Sequence, residues 1–555
     1  MANRTSIRDS FRKLYSVLIT DKKDIYAIYM FAILAGLIQL SLPLGIQTII
    51  NFVMAGSVST SIVILITLVV CGTFFNGLLQ VRQLEITEKL KQKIFLRYAF
   101  EFSNILPRIN VEKIDGHHLP ELSNRFFDAL TLQKGIEKIL LDLPAAVIQI
   151  LFGLLLLSFY HPIFIAFGIL LLLIVVLILR LTSPKGLNLA MEASSYKYSV
   201  AAWLQETARL VKTFKYAKDS MLHIQKTDEG VSGYLDARTA YFKILLVQFW
   251  SLISFKIIIT AAMLILGSFL LVNQQINVGQ FIAADIVIIA IISSVEKLIV
   301  SLDKVYDTLV SVEKLGMITE AETEKNGTVA LPLTNKGVSI ECHDLDFSYP
   351  DGKNVLKHIH YSIQPGDTVQ ITGRSGSGKS TLLRLLTGTF NRFSGNLLID
   401  GIPIGNYTLE SIRSQTGVLL NNQDIFHGTL MENITLGNRD ITIPDLLLLA
   451  ETTGFIHFIQ SDRKGLDRIL DPFGNRLPRE IKQHILLMRA LLGRHRLLLL
   501  EDPFSCFDLA TQEIYHTLIR NKSEITILIA SEDAGLSAIC NRVLYLHNGE
   551  LQTVK

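Results

Sequence analysis

The chain has 555 residues, enough for more than one folding unit, and its formal net charge of +3 is small for that length. A balance this close to neutral gives no electrostatic footprint for a nucleic-acid partner. The four cysteines, Cys71, Cys342, Cys506 and Cys540, stand too far apart to form a ligand-spaced pair, which argues against metal or disulfide roles for them.

Residues 1–24 are polar and basic (Arg4, Arg8, Arg12, Lys13, Lys22, Lys23), and the apolar run that follows is too long for the core of a cleavable signal peptide. That run, 25–55 with Pro43 inside it, predicts a first membrane span whose basic flank stays in the cytoplasm. Residues 61–81 predict a second, after an uncharged link that suits a tight external turn. The stretch 82–134 is charged with a helical rhythm and reads as a long cytoplasmic excursion, with Glu121, Arg125 and Asp128 as a patch for coupling. Residues 139–159 and 163–179 predict the third and fourth spans around the turn Tyr160, His161, Pro162, where His161 reads as an interfacial residue. A second polar excursion, 180–241, precedes spans five (242–272) and six (281–300). Counting crossings puts both termini and both excursions on the cytoplasmic side, and the lysines and arginines agree. Lys256, Asp285 and Glu296 are costly in lipid and are expected to pair or to face the bundle interior.

Residues 314–333 read as a polar linker and 334–555 as an α/β domain with a buried, partly parallel sheet. A strand pattern over 338–348 ends beside Tyr349, placed to stack on an adenine. A short strand, 368–372, runs into Gly373, Arg374, Ser375, Gly376, Ser377, Gly378, Lys379, Ser380 and Thr381, a complete phosphate-binding loop that opens a helix. Its backbone N–H groups and the helix N-terminus surround the β-phosphate. Lys379 reaches the β- and γ-phosphates and the Ser380 hydroxyl holds Mg²⁺, so ATP and Mg²⁺ are the expected ligands. The apolar run 497–500 predicts a parallel strand ending at Glu501 and Asp502, one to orient Mg²⁺ and the next to polarise the attacking water.

Six spans with long intracellular excursions, followed by this domain, resemble an ATP-binding cassette exporter half-transporter of the group related to bacterial type I secretion and peptide exporters. The resemblance covers nearly the whole chain and implies an all-α six-helix transmembrane exporter domain (25–313) followed by an α/β P-loop ATPase domain (334–555). It implies ATP-driven export of a peptide or protein across the bacterial inner membrane. The exporter would be a homodimer, or a heterodimer with another half-transporter, with a periplasmic adaptor and an outer-membrane channel as further partners. A lipid or amphiphilic drug is the alternative cargo, and an ATP-responsive membrane sensor or a regulated channel the alternative to transport. With no cysteine-protease domain before the first span, a leader-peptide-cleaving exporter is not expected.

Matched position by position, the resemblance puts Tyr349 at the adenine-stacking site and Asn421, with Gln423 nearby, at the glutamine that links Mg²⁺ to the membrane domain. Leu477, Pro478, Arg479, Glu480 and Ile481 replace the Leu-Ser-Gly-Gly-Gln signature that grips the γ-phosphate bound by the opposite subunit. Pro478 is expected to remove a backbone donor and Arg479 to reach the γ-phosphate instead. Glu501 and Asp502 reverse the usual acidic pair, and Ser531 takes the switch-histidine position, where it lacks a charge-assisted contact. Since displacing a water-positioning group by ~1 Å can cost ~10²-fold in rate, a slow or conditional ATPase is implied.

Overall fold

A computed structural model describes residues 7–56, 60–110, 112, 119–218, 220–350, 352–421 and 423–553. The chain divides into two compact units, Met1–Arg108 with Gly116–Ala321, and Ile109–Asp115 with Glu322–Lys555.

The first unit is all α, and among the described residues six helical segments are long and apolar enough to cross a membrane. The spans and excursions separated in the sequence by their charge are continuous helices: Thr60–Ile105, Ile163–Arg209 and Leu222–Val272. At a rise of 1.5 Å per residue the first is about 69 Å long. A change from apolar to charged composition alters what a helix packs against, and nothing in it breaks the backbone hydrogen bonds. The first span does break, into Lys22–Gln39 and Ser41–Met54, which leaves Pro43 in a first turn where its missing N–H has no intrahelical partner to lose. The third lies within a continuous helical run, Asp128–Glu137 followed by a π-helical turn over Lys138–Asp142 and then Leu143–Tyr160.

Ile150, Leu157, Leu171, Phe255, Ile259 and Ile291 make the bundle core. Lys256 pairs with Glu296 at 2.6 Å, the expected neutralisation of two charges on apolar helices. His161 has a local task at its turn, with Nδ1 accepting from the Ile163 N–H at 3.2 Å. The polar N-terminal segment is helical over Ile7–Leu18 and anchored by Lys13, whose Nζ lies 3.0 Å from Glu313 and 3.1 Å from Glu320.

The linker expected at 314–333 starts later, because the helix Leu302–Thr319 runs through its first six positions. Leu309, Val312, Leu315 and Ile318 recur at helical spacing and are buried, and they carry Lys314 inside with them. Burial pushes the Lys314 amine down to about 8.

Among its described residues the second unit holds three sheets. An antiparallel one orders β2 (Asn354–Ile363), β1 (Ile340–Ser348), β4 (Phe393–Ile399) and β5 (Ile402–Pro403). The central sheet runs β12-β11-β3-β10-β9-β6, from β3 (Thr368–Thr372), β6 (Thr416–Leu419), β9 (Leu497–Glu501), β10 (Thr526–Ala530), β11 (Arg542–His547) and β12 (Glu550–Thr553). It is parallel except for β12, and β9 and β10 are buried along their whole length, as expected of strands covered on both faces. A short ribbon pairs β7 (Gly428–Thr429) with β8 (Ile469–Leu470). The strand order brings the carboxyl ends of β3 and β9 to one edge, beside β10 between them.

Candidate functional site

At that edge a cleft of about 480 Å³ is lined by Tyr349, residues 375–381, Asn421, Glu501, Asp502 and Glu532, among others. The loop after β3 turns through left-handed conformations at Gly376 (φ 80°) and Gly378 (φ 109°), the latter capping the helix Lys379–Leu386. A Cβ on Gly378 would also approach the Leu356 side chain to 2.8 Å, so glycine is needed there for space as well as for φ.

Lys379 Nζ folds back on the loop, donating to the carbonyl of Gly373 and to that of Arg374 at 3.2 Å, and it pairs with Glu532 Oε1 at 3.2 Å. Ser380 donates its hydroxyl to Glu501 Oε1, and Glu501 Oε2 accepts the Asn421 backbone N–H at 3.0 Å. The residues expected to hold Mg²⁺ thus converge, and a hydroxyl beside a carboxylate is the hard oxygen donor set that Mg²⁺ takes. Asn421 joins this group through its main chain, a contact that does not depend on which residue stands there.

Asp502 holds a strained backbone (φ 40°) pinned by its N–H to the Ala530 carbonyl at 2.9 Å. The Tyr349 hydroxyl meets Thr381 Oγ1 at 3.0 Å, and its ring packs edge-on against Phe347 and Phe390. Ser531 is buried and turned away from the cleft: its hydroxyl accepts the Asp533 N–H at 3.3 Å. The next residue, Glu532, lines the cleft instead, one position past Ser531.

The structure does not bring Arg479 into this cleft. It lies exposed at the start of the helix Arg479–Leu491, with Pro478 as its N-cap. Proline at the N-cap has no N–H, so this helix N-terminus presents one unpaired backbone donor fewer, as expected. Behind it, His484 is buried with Nδ1 2.8 Å from the Tyr515 hydroxyl, and burial pushes its imidazole down to about 4.

Glu112 was also missed. The sequence puts it in the first excursion, yet it folds with the ATPase unit. Its carboxylate is buried, and Oε1 accepts the backbone N–H groups of Asn391 at 2.6 Å and Arg392 at 3.1 Å, just beyond the phosphate-loop helix. The Asn110 N–H donates to Glu322 at 3.0 Å in the same unit. The patch Glu121–Asp128 stays in the membrane unit, where Lys197 lies 3.5 Å from Asp128.

The family model described as ABC transporter matches residues 356–505, and the one described as ABC transporter transmembrane region matches 25–295. The cyclolysin secretion/processing ATP-binding protein CyaB of Bordetella pertussis is 28% identical over 355 residues, 63% of this chain and 49% of that protein. The alpha-hemolysin translocation ATP-binding protein HlyB of Escherichia coli O157:H7 is 29% identical over 357 residues, 63% of this chain and 49% of its own. The matches thus span about half the length of these curated relatives. A bacterial Atm1-family ABC exporter with ATP bound shares the fold, with a TM-score of 0.86 at 17% identity over 96% of this chain and 94% of that one. The two family models lie in sequence order on one polypeptide, and the chain belongs to the ABC transporter family as a half-transporter with its transmembrane region and ATPase domain fused.

Proposed function

We propose that this chain is one half of a dimeric exporter in a bacterial inner membrane, using ATP to move a peptide or protein outward. The observation that carries the reading is the convergence of Lys379, Ser380, Glu501 and the phosphate loop in one cleft of a chain that also has six membrane-crossing helices. The relatives' roles in cyclolysin secretion and alpha-hemolysin translocation support protein or peptide cargo; an adaptor and an outer-membrane channel would be further partners.

In this reading Tyr349 releases Thr381 to stack on adenine, and Lys379 exchanges Glu532 for phosphate oxygens. Ser380 and Glu501 hold Mg²⁺, which when bound screens the phosphate charge. Asp502 orients the attacking water, the Asn421 amide keeps Glu501 in place, and the buried Ser531 supports Asp533 without touching phosphate. Arg479, exposed on its helix, reaches the nucleotide held by the other half. Closure of the two ATPase domains then favours an outward-facing bundle, and hydrolysis resets it. The apolar stretch of the second spanning helix has 0% of its residues buried within the chain, leaving that surface for lipid or a second half-transporter.

The altered signature at Pro478, Arg479 and Glu480 favours a second reading, a heterodimer whose other member supplies the standard signature. ATP turnover by the purified chain alone, lost in Lys379→Ala, selects the homodimer. For export itself, inverted membrane vesicles containing the chain should accumulate a candidate peptide in an ATP-dependent way that Lys379→Ala abolishes. Uptake unaffected by that substitution would overturn the proposal.

A further inference from the structure

The β1–β2 hairpin carries a cluster of imidazole and carboxylate groups that nucleotide binding does not use. Pairing between these strands is irregular from Cys342 through Leu345 to Phe347, and two non-glycine residues there take left-handed conformations, Asp344 (φ 52°) and His358 (φ 46°). In a regular ladder, neighbouring side chains alternate between faces. The irregularity instead collects Asp344, Asp346 and His358 on one side, with their donor atoms all within 4.8 Å of one another.

His358 Nδ1 lies 2.7 Å from Asp344 Oδ1 and 3.7 Å from Asp346 Oδ2. Donors about 2 Å from a tetrahedral ion are separated by about 3.3 Å, a spacing these two distances bracket. The carboxylates are also oriented from behind. Asp346 Oδ1 accepts the His358 backbone N–H at 3.1 Å, which turns Oδ2 toward the imidazole. His360 receives the Asp344 N–H on Nδ1 at 3.3 Å, so it buttresses the group without presenting a free lone pair there. Exposed side chains at Asp344 and His358 leave the remaining coordination positions open to water.

We infer that Asp344, Asp346 and His358 bind a divalent first-row transition cation, Zn²⁺ being the reference ion, at a surface site separate from the phosphate cleft. One imidazole nitrogen with two carboxylate oxygens suits Zn²⁺, Co²⁺ or Ni²⁺ better than Mg²⁺ or Ca²⁺, which take oxygen-only sets, and no thiolate is present to select Cu(I). The ion would join β1 to β2 a few residues before Tyr349.

The test uses tag-free, full-length protein in detergent, stripped with EDTA and dialysed against Zn²⁺ without nucleotide, with bound metal measured per chain. One equivalent is expected, with an apparent affinity weakened at least tenfold in His358→Gln and in Asp346→Asn and unchanged in Glu501→Gln. Unaltered ATP binding by the two hairpin variants shows that their fold is intact. The inference is overturned if no stoichiometric ion binds, or if the ion persists in both hairpin variants or disappears in Glu501→Gln.

Discussion

Glu532 Oε1 lies 3.2 Å from Lys379 Nζ, the amine that must meet the β- and γ-phosphates. The carboxylate neutralises Lys379 before nucleotide arrives and has to give way to it. Its side chain is 60% exposed, so solvent screens the pair and its strength is about 1 kcal/mol at most. Glu532→Gln should therefore tighten ATP binding by up to about fivefold. Binding weakened or unchanged in this variant would show that Glu532 does not compete with phosphate.

Asp502 trades reach against backbone strain. Aspartate tolerates its φ of 40° better than glutamate, while glutamate would carry the carboxylate closer to the attacking water. Asp502→Glu is expected to raise kcat up to about tenfold, and Asp502→Asn to lower it at least tenfold with ATP affinity little changed. An Asp502→Asn variant with wild-type turnover would remove this residue from the catalytic step.

Glu112 satisfies two backbone donors beside the phosphate-loop helix from a segment joined by its chain to the membrane unit. Glu112→Ala leaves both without that acceptor and should destabilise the ATPase unit by about 1–3 kcal/mol, with a smaller loss for Glu112→Gln. Urea unfolding of the full chain, followed by a probe in the ATPase unit, reads this. Unshifted unfolding would contradict the anchoring role.

His484 couples the ATPase unit to pH. Its folded value of about 4 lies below the ordinary 6.5, so the unfolded chain binds the extra proton. The stabilisation is complete above pH 6.5 and is lost as pH falls toward 4, on the order of 3 kcal/mol in all. His484→Gln should flatten the dependence of stability on pH across this window. An equally steep dependence in the variant would place the titrating group elsewhere.

The phosphate loop was legible because its chemistry is local: nine consecutive residues carry the glycines, the lysine and the hydroxyl, and the strand before them is short and apolar. The six spans were legible for the same reason, since lipid demands a long apolar run whatever packs around it. Contacts between distant residues were not. Glu112 and Asn391 are 279 residues apart, and Lys379 and Glu532 are 153 apart. No periodicity connects such pairs. Charge does not mark the helix ends, as at Lys314, because an amphipathic helix crosses a change of solvent without interruption. The hairpin cluster escaped because Asp344 and His358 share a face only through irregular strand pairing, which alternation cannot forecast.

The most decisive measurement is magnesium-dependent ATP turnover by the full chain reconstituted in lipid, with Lys379→Ala beside it. An ATP-driven exporter requires turnover in the wild type that needs Mg²⁺ and is lost in the variant. Equal turnover in both proteins, or a folded wild-type chain with no Mg²⁺-dependent affinity for ATP, would contradict it.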